Sequence, residues 1–467
     1  MSSFEKNFKS FGKDIKKNKG IVEKGQIYSF AEGLELVRTE LADHFSQEDK
    51  ELQEMEEDTK TKTKASLRKK KEEWMSAVSS TVYAKAIRVR DYSTEEFIEA
   101  CVEEFVGHSV LAPLFKDLSI SDVFCNRWDN IYVEKNGENV KTDITFMNEK
   151  HFNNFIERVL LKGGSGIGKE LNSGENKILD AEFYGDRIQT THDSVSPKGR
   201  SITFRKHAES HITLDKIIHQ ETMNQEIADF LGTTILGELN LIYAGITGSG
   251  KTTSIRALLD YYVALSNKRA LVVEDTQELN LANDHTLELV SSKNSNPKLA
   301  VTLENLIITA LRLKPKYIVV GEVRGVEAQA AVEAMETGHS TIFTMHGGEP
   351  INIINRLVTK YIQAMPTLGI DVVERIIGSS VDYIAIQDDI PDIGRRVSII
   401  SEVTYDYESQ RVSLKPIFEF DFETESYKMV NKISPDKAKR MMRRGIKKHQ
   451  LEKWVEGWDN KEEVKSA

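Results

Sequence analysis

From about residue 239 to residue 346 the chain alternates two textures. LIYAG, RALVVEDT, YIVVGEV and STIFTMH are apolar runs of strand length. Between them, RALLDYYVAL, LENLIITALRL and GVEAQAAVEAME carry apolar positions at helical spacing. Continuous apolar strands that alternate with amphipathic helices predict a mostly parallel sheet covered on both faces. The pattern changes after about residue 395. There RRVSIISEVTYDY and QRVSLKPIFEFDFE predict an antiparallel pair, and the basic segment PDKAKRMMRRGIKKHQLEKW predicts a closing helix.

Upstream the texture differs again. Ser93 and Glu96 form a capping box before the amphipathic stretch TEEFIEACVEEFV. SISDVFCNRWDNIYVEKNGENV places Asn-Gly, a hairpin signal, between apolar runs. A helix over HFNNFIERVLLKG follows, then two strands, ILDAEFYGDRIQTT and GRSITFRKH, and a helical lead-in over 214–239. The first ninety residues are dense in charge. Phe4, Phe8, Phe11 and Ile15 recur at helical spacing among lysines, as in a helix that lies on a membrane surface or docks on a partner. Residues 47–74 predict an exposed helix or helical hairpin anchored by Leu52, Met55, Leu67 and Trp74. The expected organisation is a charged helical extension over 1–92, an α+β domain over 93–212, an α/β domain over 213–395, and a C-terminal hairpin with a basic helical tail over 396–467.

The stretch GITGSGKTT follows the first of the apolar strands and precedes a helix. Glycine costs backbone entropy and offers nothing to bury, so packing does not explain three of them in nine residues. A phosphate cradle does. Gly245, Gly250, Lys251 and Thr252 fill the template G-x-x-x-x-G-K-[ST]. Backbone N–H groups from Gly245 through Thr247, Gly248, Ser249 and Gly250 to Thr253 would close on phosphate oxygens at the positive end of the helix. Lys251 would reach the β- and γ-phosphates, and Thr252 would hold Mg²⁺. Just past the next apolar strand stand Glu274, Asp275 and Glu278. Strand C-terminal ends are where ligands sit in open α/β sheets, and carboxylates there can order Mg²⁺ or a water. YIVVGEVRG ends its apolar run in Gly-Glu, so Glu322 is placed to polarise an attacking water, with Arg324 two residues on. Val320 and Gly321 stand where an aspartate commonly coordinates the metal, which leaves Thr252, water and Glu274 or Asp275 for Mg²⁺. His339 and His346 flank the last apolar strand, seven residues apart across it, which is a poor metal site.

Composition narrows the picture. With 63 Lys and Arg against 73 Asp and Glu, a net charge of −10 argues against general polyanion binding. Two cysteines, Cys101 and Cys125, exclude a disulfide scaffold and a four-cysteine zinc site, and they fit a reducing compartment. No apolar run approaches the roughly 18–20 residues that span a bilayer. The expectation is a cytoplasmic protein.

Together, GITGSGKTT, VVEDTQEL, LRLKPKYIVVGEVRGVEA and TGHSTIFTMH resemble, in order and approximate spacing, the four boxes of the secretion-traffic ATPases. These are the motors of type II secretion, type IV secretion and type IV pili. PLFKDLSISDVFCNRWDNIYVEKNG, DAEFYGDRIQTT and ITFRK are similar to the family's N-terminal domain. The segment EVTYDYESQRVSLKPIFEFD looks more like the type IV secretion and tight-adherence-pilus branch. The resemblance implies a RecA-like P-loop domain preceded by an α+β, PAS-like domain. It assigns Glu274, Asp275 and Glu278 to an Asp box, Glu322 to an atypical Walker B, and His339 and His346 to a His box. It also matches Arg187 and Arg205 to arginines that contact nucleotide phosphate across a domain or subunit boundary. The implied activity is ATP hydrolysis with Mg²⁺ by a homo-hexamer. Its partners would be membrane platform proteins, with peripheral contact at the cytoplasmic face. The rival expectation is a nucleic-acid translocating or packaging ATPase, which the acidic balance disfavours and the basic tail leaves open. A third is a nucleotide switch with little turnover.

Overall fold

The computed structural model describes residues 26–45, 63–135, 137–162, 171–174, 176–207, 212–292 and 298–458. The aromatic face of Phe4, Phe8, Phe11 and Ile15 lies outside these residues, as do Leu52 and Met55. The chain divides into two compact units, Met1–Glu209 and Ser210–Ala467.

The first unit holds two cores. In one, strands β1 (Ile27–Tyr28) and β2 (Arg88–Val89) pair in parallel beside the helices Phe30–Glu40, Lys64–Ala84 and Thr94–Phe105. Phe30, Val37, Trp74, Val78, Phe97 and Phe105 are buried together there. The Ser93 capping box forms as the sequence predicts. Ser93 N–H donates to Glu96 at 2.8 Å, and Glu96 N–H donates to Ser93 Oγ at 3.2 Å. Leu67 and Trp74 are buried, so this part of the charged extension is anchored.

The other core lies on an antiparallel sheet built from β3 (Ile120–Arg127), β4 (Asn130–Lys135), β5 (Glu138–Lys141), β6 (Ile178–Phe183), β7 (Asp186–Thr191) and β8 (Ser201–Arg205), in the order β5-β4-β3-β8-β7-β6. Helix Glu149–Lys162 contributes Phe152, Phe155, Ile156 and Val159 to that core. ILDAEFYGDRIQTT is a hairpin of two strands, not the single strand its apolar content suggests. Tyr184 at φ +50° and Gly185 at φ +88° make the tight turn that splits it. With the edge strand β5 set aside, the order is the PAS-like one.

In the second unit one nine-stranded sheet runs β11-β10-β12-β13-β9-β14-β15-β16-β17. The strands are β9 (Leu241–Gly245), β10 (Ala270–Glu274), β11 (Thr286–Val290), β12 (Tyr317–Val323), β13 (Ser340–His346), β14 (Tyr383–Ile390), β15 (Gly394–Asp406), β16 (Arg411–Asp421) and β17 (Ser426–Met429). The first six in spatial order are parallel, and β15 to β17 continue the sheet antiparallel. The unbroken apolar runs follow from burial on both faces. Leu241, Tyr243, Val272 and Val319 face one core with helices Gln225–Leu236 and Lys251–Ser266. Ile242, Ala244, Val273 and Val320 face the other, under helices Leu303–Arg312, Glu327–Glu336, Pro350–Ala364 and Ile370–Ser380. This is the RecA-like α/β architecture.

Residues beyond 395 share this sheet and its first core, to which Ile433, Met441 and Trp454 belong. The basic tail is partly neutralised from within. Lys437 and Arg440 of helix Pro435–Arg443 both pair with the fully buried Asp382, and Arg444 reaches Glu238 at 3.3 Å.

Candidate functional site

The glycine-rich loop leaves β9 at its C-terminal end and enters helix Lys251–Ser266. Gly248 and Gly250 sit at φ +81° and +85°, a region that costs L-residues. The helix starts without a side-chain cap, so no capping side chain takes up its first N–H groups. Lys251 Nζ donates to its own loop at the carbonyl of Ile246, 2.8 Å away. Left-handed glycines, an uncapped helix start and a folded-back ammonium make a cradle that suits phosphate oxygens. Thr252 and Thr253, half-buried, open the helix beside it.

Three further segments meet this loop because the parallel sheet brings their strand ends to one edge. Glu274 closes β10, is buried, and accepts backbone N–H groups of Glu278 at 3.2 Å and Leu279 at 3.1 Å. Burial outweighs these donors and pushes its carboxyl up to about 8. Asp275 accepts from Ser291 Oγ at 2.8 Å. Arg256, one turn along the P-loop helix and nearly buried, donates to the carbonyl of Glu278 at 3.4 Å and so ties the two segments.

Glu322 lies near the end of β12 and takes a 2.5 Å hydrogen bond from Arg324 Nη2. Burial disfavours its charge, but Arg324, Lys251 and His346 prevail and hold its carboxyl below the usual range. The Lys251 ammonium is shifted down, chiefly by burial and further by Arg324, while Glu322 and Glu278 work against the shift. Asp275 and Glu278 act in turn on Arg324. Lys251, Glu322, Arg324, Asp275, Glu278 and His346 are thus electrostatic neighbours, a set drawn from four separate stretches. His346 pairs with Gly245 in the β13–β9 register, and its Nδ1 lies 3.4 Å from Thr247 Oγ1.

His339 does not join them. It precedes β13, at the opposite end of the strand from His346, where its Nδ1 meets Thr337 Oγ1 at 2.9 Å. Burial first and Lys316 second push its pKa down. A seven-residue strand at ~3.3 Å per residue separates the two histidines by roughly 20 Å. Arg187 and Arg205 stand directly opposite each other on β7 and β8 of the first unit, so they share a face of that sheet. Arg205 Nε donates to Asp122 Oδ1 at 3.1 Å.

Two residues that motif reading passes over also touch the loop. Gln387 on β14 is fully buried and pairs in register with Gly245. Tyr243 O–H donates to its Oε1 at 2.6 Å, and its Nε2 donates to the Ser249 carbonyl. A Cβ at Gly245 would fall 2.1 Å from the Gln387 carbonyl oxygen, so this glycine serves close strand packing. The available signal was the lone amide at the end of the apolar run YIAI. Arg395, at the start of β15, lies against Gly250, and its exposed, charged sequence setting offered no such signal.

A family model described as "Type II/IV secretion system protein" matches residues 104–395, more than half of the chain. The uncharacterized protein MJ0900 of Methanocaldococcus jannaschii is 30% identical over 274 residues, 58% of this chain and 48% of that protein. Conjugal transfer protein TrbB of Rhizobium radiobacter is 30% identical over 188 residues, 40% of this chain and 55% of that protein. The chain spans about half the length of these curated relatives. Among solved structures, the Legionella pneumophila ATPase DotB aligns at 22% identity and a TM-score of 0.42, over 64% of this chain and 81% of that one. With its glycine-rich loop, its Gly-Glu strand end and the family match across both units, the chain belongs to the type II/IV secretion system protein family.

Proposed function

We propose that this protein is a hexameric ATPase motor that hydrolyses ATP to ADP and phosphate. It would power protein secretion, conjugative transfer or pilus assembly through a membrane machine. The observation that carries the reading is the convergence of Lys251, Glu322, Arg324 and His346 at the loop edge of the parallel sheet. Lys251 and the loop amides would hold the phosphates, and the Thr252 hydroxyl with Glu274 or Asp275 would hold Mg²⁺. The metal, when bound, neutralises charge on the phosphates. Glu322, kept ionised at neutral pH, orients the attacking water. Arg324 pairs with Glu322 and would answer charge on the transferred phosphoryl. Arg187 and Arg205 are proposed to reach phosphate across a domain or subunit boundary. The proposed setting is the cytoplasmic face of a membrane, beside platform proteins. Among the described residues no helix is long and apolar enough to cross a membrane.

The nucleic-acid motor is the weaker reading. Lys437, Arg440 and Arg444 of the basic tail are engaged by Asp382 and Glu238, which leaves less charge for a polyanion.

Glu322→Gln tests the assignment, since the amide keeps the size and loses the basicity. Turnover should fall on the order of 10²–10⁴-fold while ATP affinity changes less than about threefold, read by steady-state hydrolysis and fluorescent-nucleotide titration. Normal turnover would make Glu322 structural and move the role of base to Glu274.

A further inference from the structure

The loop that carries Lys251 is braced from β14 and β15, and the brace carries a charge. Gln387 fastens the end of β14 to the loop through Ser249 and Tyr243. The chain then turns and returns as β15, whose second residue is Arg395. A methyl group at Gly250 would lie 3.1 Å from Gln387 Nε2, 3.2 Å from Arg395 Cδ and 3.5 Å from Arg395 Nε. The arginine stem therefore rests on the glycine that opens the P-loop helix. Its side chain is 44% exposed and its Nε pairs with Asp389, itself 39% exposed, at 3.7 Å. A pair so open and so long is weak and easily exchanged.

Packing alone does not call for a cation here. The positive end of helix Lys251–Ser266 begins at Gly250, and the Arg395 stem and Nε lie against that same glycine, while the Lys251 ammonium turns to the Ile246 carbonyl of the loop. A helix N-terminus and a guanidinium on one glycine both favour a negatively charged group there. Guanidinium offers a planar fork of donors that matches phosphate oxygens. Its anchor is also firm, since β14 and β15 belong to the central sheet rather than to a loose loop.

We propose that Arg395 binds a phosphate oxygen of the nucleotide seated on the amides of Gly250 to Thr252. It trades its loose pair with Asp389 for that phosphate and so acts from the same chain as the loop. The proposal rests on the reading of the loop as a nucleotide site.

The test is calorimetric titration of the full chain with ADP and, separately, with inorganic pyrophosphate. The variants are Lys251→Ala, Arg395→Met, Arg395→Lys and Asp389→Asn. Loss of a charge-assisted hydrogen bond predicts about tenfold weaker binding of both ligands to Arg395→Met, with partial recovery in Arg395→Lys. Asp389→Asn, which frees the guanidinium, should bind both at least as tightly as wild type. Unchanged affinity in Arg395→Met overturns the proposal. Weakened ADP with unchanged pyrophosphate also overturns it, since the contact would then be to ribose or base. Weakened binding in Asp389→Asn does the same, and this arm remains informative if Arg395→Met fails to fold. A wild type that binds neither ligand, or a Lys251→Ala variant that binds both normally, removes the nucleotide-site reading itself and with it the role of Arg395.

Discussion

Gly321 stands where many P-loop enzymes carry a metal-binding aspartate, and the structure gives a steric reason for the glycine. A Cβ there would lie 2.8 Å from Glu274 Cγ and 3.0 Å from its Oε1. The Glu274 carboxyl occupies that space while it holds the amides of Glu278 and Leu279. One residue thus shapes the Asp-box loop and dictates its neighbour on the next strand. Its burial has a consequence for stability. The folded-state pKa of about 8 is raised above the ordinary 4.5, so between those values the folded chain keeps a proton that the unfolded chain has released. Stability from this group is present in full at low pH and is lost as pH rises toward 8. Glu274→Gln carries no such charge. At pH 5 the two proteins should differ little from this source. By pH 8 the variant should gain a few kcal/mol relative to wild type, as an upper bound. Urea unfolding at both pH values measures the difference, and a gap that does not move with pH would refute the raised pKa.

Helix Gln225–Leu236 meets the P-loop helix through a glycine, and the approach leaves no slack. A Cβ at Gly232 would fall 2.0 Å from Tyr262 Cζ, a severe clash with the ring. Tyr262 is itself held, since it lies 8% exposed in the core and interacts with Asp229. Gly232→Ala should therefore cost about 1–3 kcal/mol in unfolding free energy, as overpacking does, despite alanine's better helix propensity. Gly232→Ala combined with Tyr262→Leu should recover part of that loss relative to the sum of the singles, since the clash would be gone. A stabilising Gly232→Ala would mean that the two helices separate freely. The P-loop helix was legible in the sequence from its spacing, whereas the helical lead-in expected over 214–239 is two helices, Leu214–His219 and Gln225–Leu236. Their close contact was not, because nothing local to LGTT or DYYV announces that the two segments meet.

Across the whole molecule, the first unit offers Arg187 and Arg205 side by side on one sheet face, and the second holds the glycine-rich loop. If neighbouring subunits deliver these arginines, activity belongs to the assembly. Specific ATPase activity should rise with protein concentration and level off as rings form. Arg205→Ala should reduce turnover on the order of tenfold or more, with far less effect on nucleotide binding, because the contact matters mainly in the transition state. A dilution series with sedimentation in parallel checks both. Constant specific activity down to a demonstrated monomer, with a silent Arg205→Ala, would defeat the ring and the finger together.

What the sequence determined by itself is what physics makes local. A glycine-rich loop between strand and helix is contiguous in sequence, so 245–253 could be read directly as the candidate cradle. Parallel strands buried on both faces must be apolar throughout, so β9, β10, β12 and β13 stood out as runs. The alternation of strand and helix then implied the sheet and put Glu274 and Glu322 at strand ends. The tertiary structure decided whatever depends on register between distant segments. Gln387 and Arg395 reach the loop because β14 pairs with β9 with Gln387 opposite Gly245, a partnership about 140 residues apart in sequence. His346 enters the site and His339 does not, because one strand carries its two ends to opposite edges of the sheet. The basic tail is drawn inward by Asp382 and Glu238, which only folding brings within reach of Lys437, Arg440 and Arg444. Charges and pKa values follow burial, and burial is a property of the packed layers rather than of any stretch of sequence.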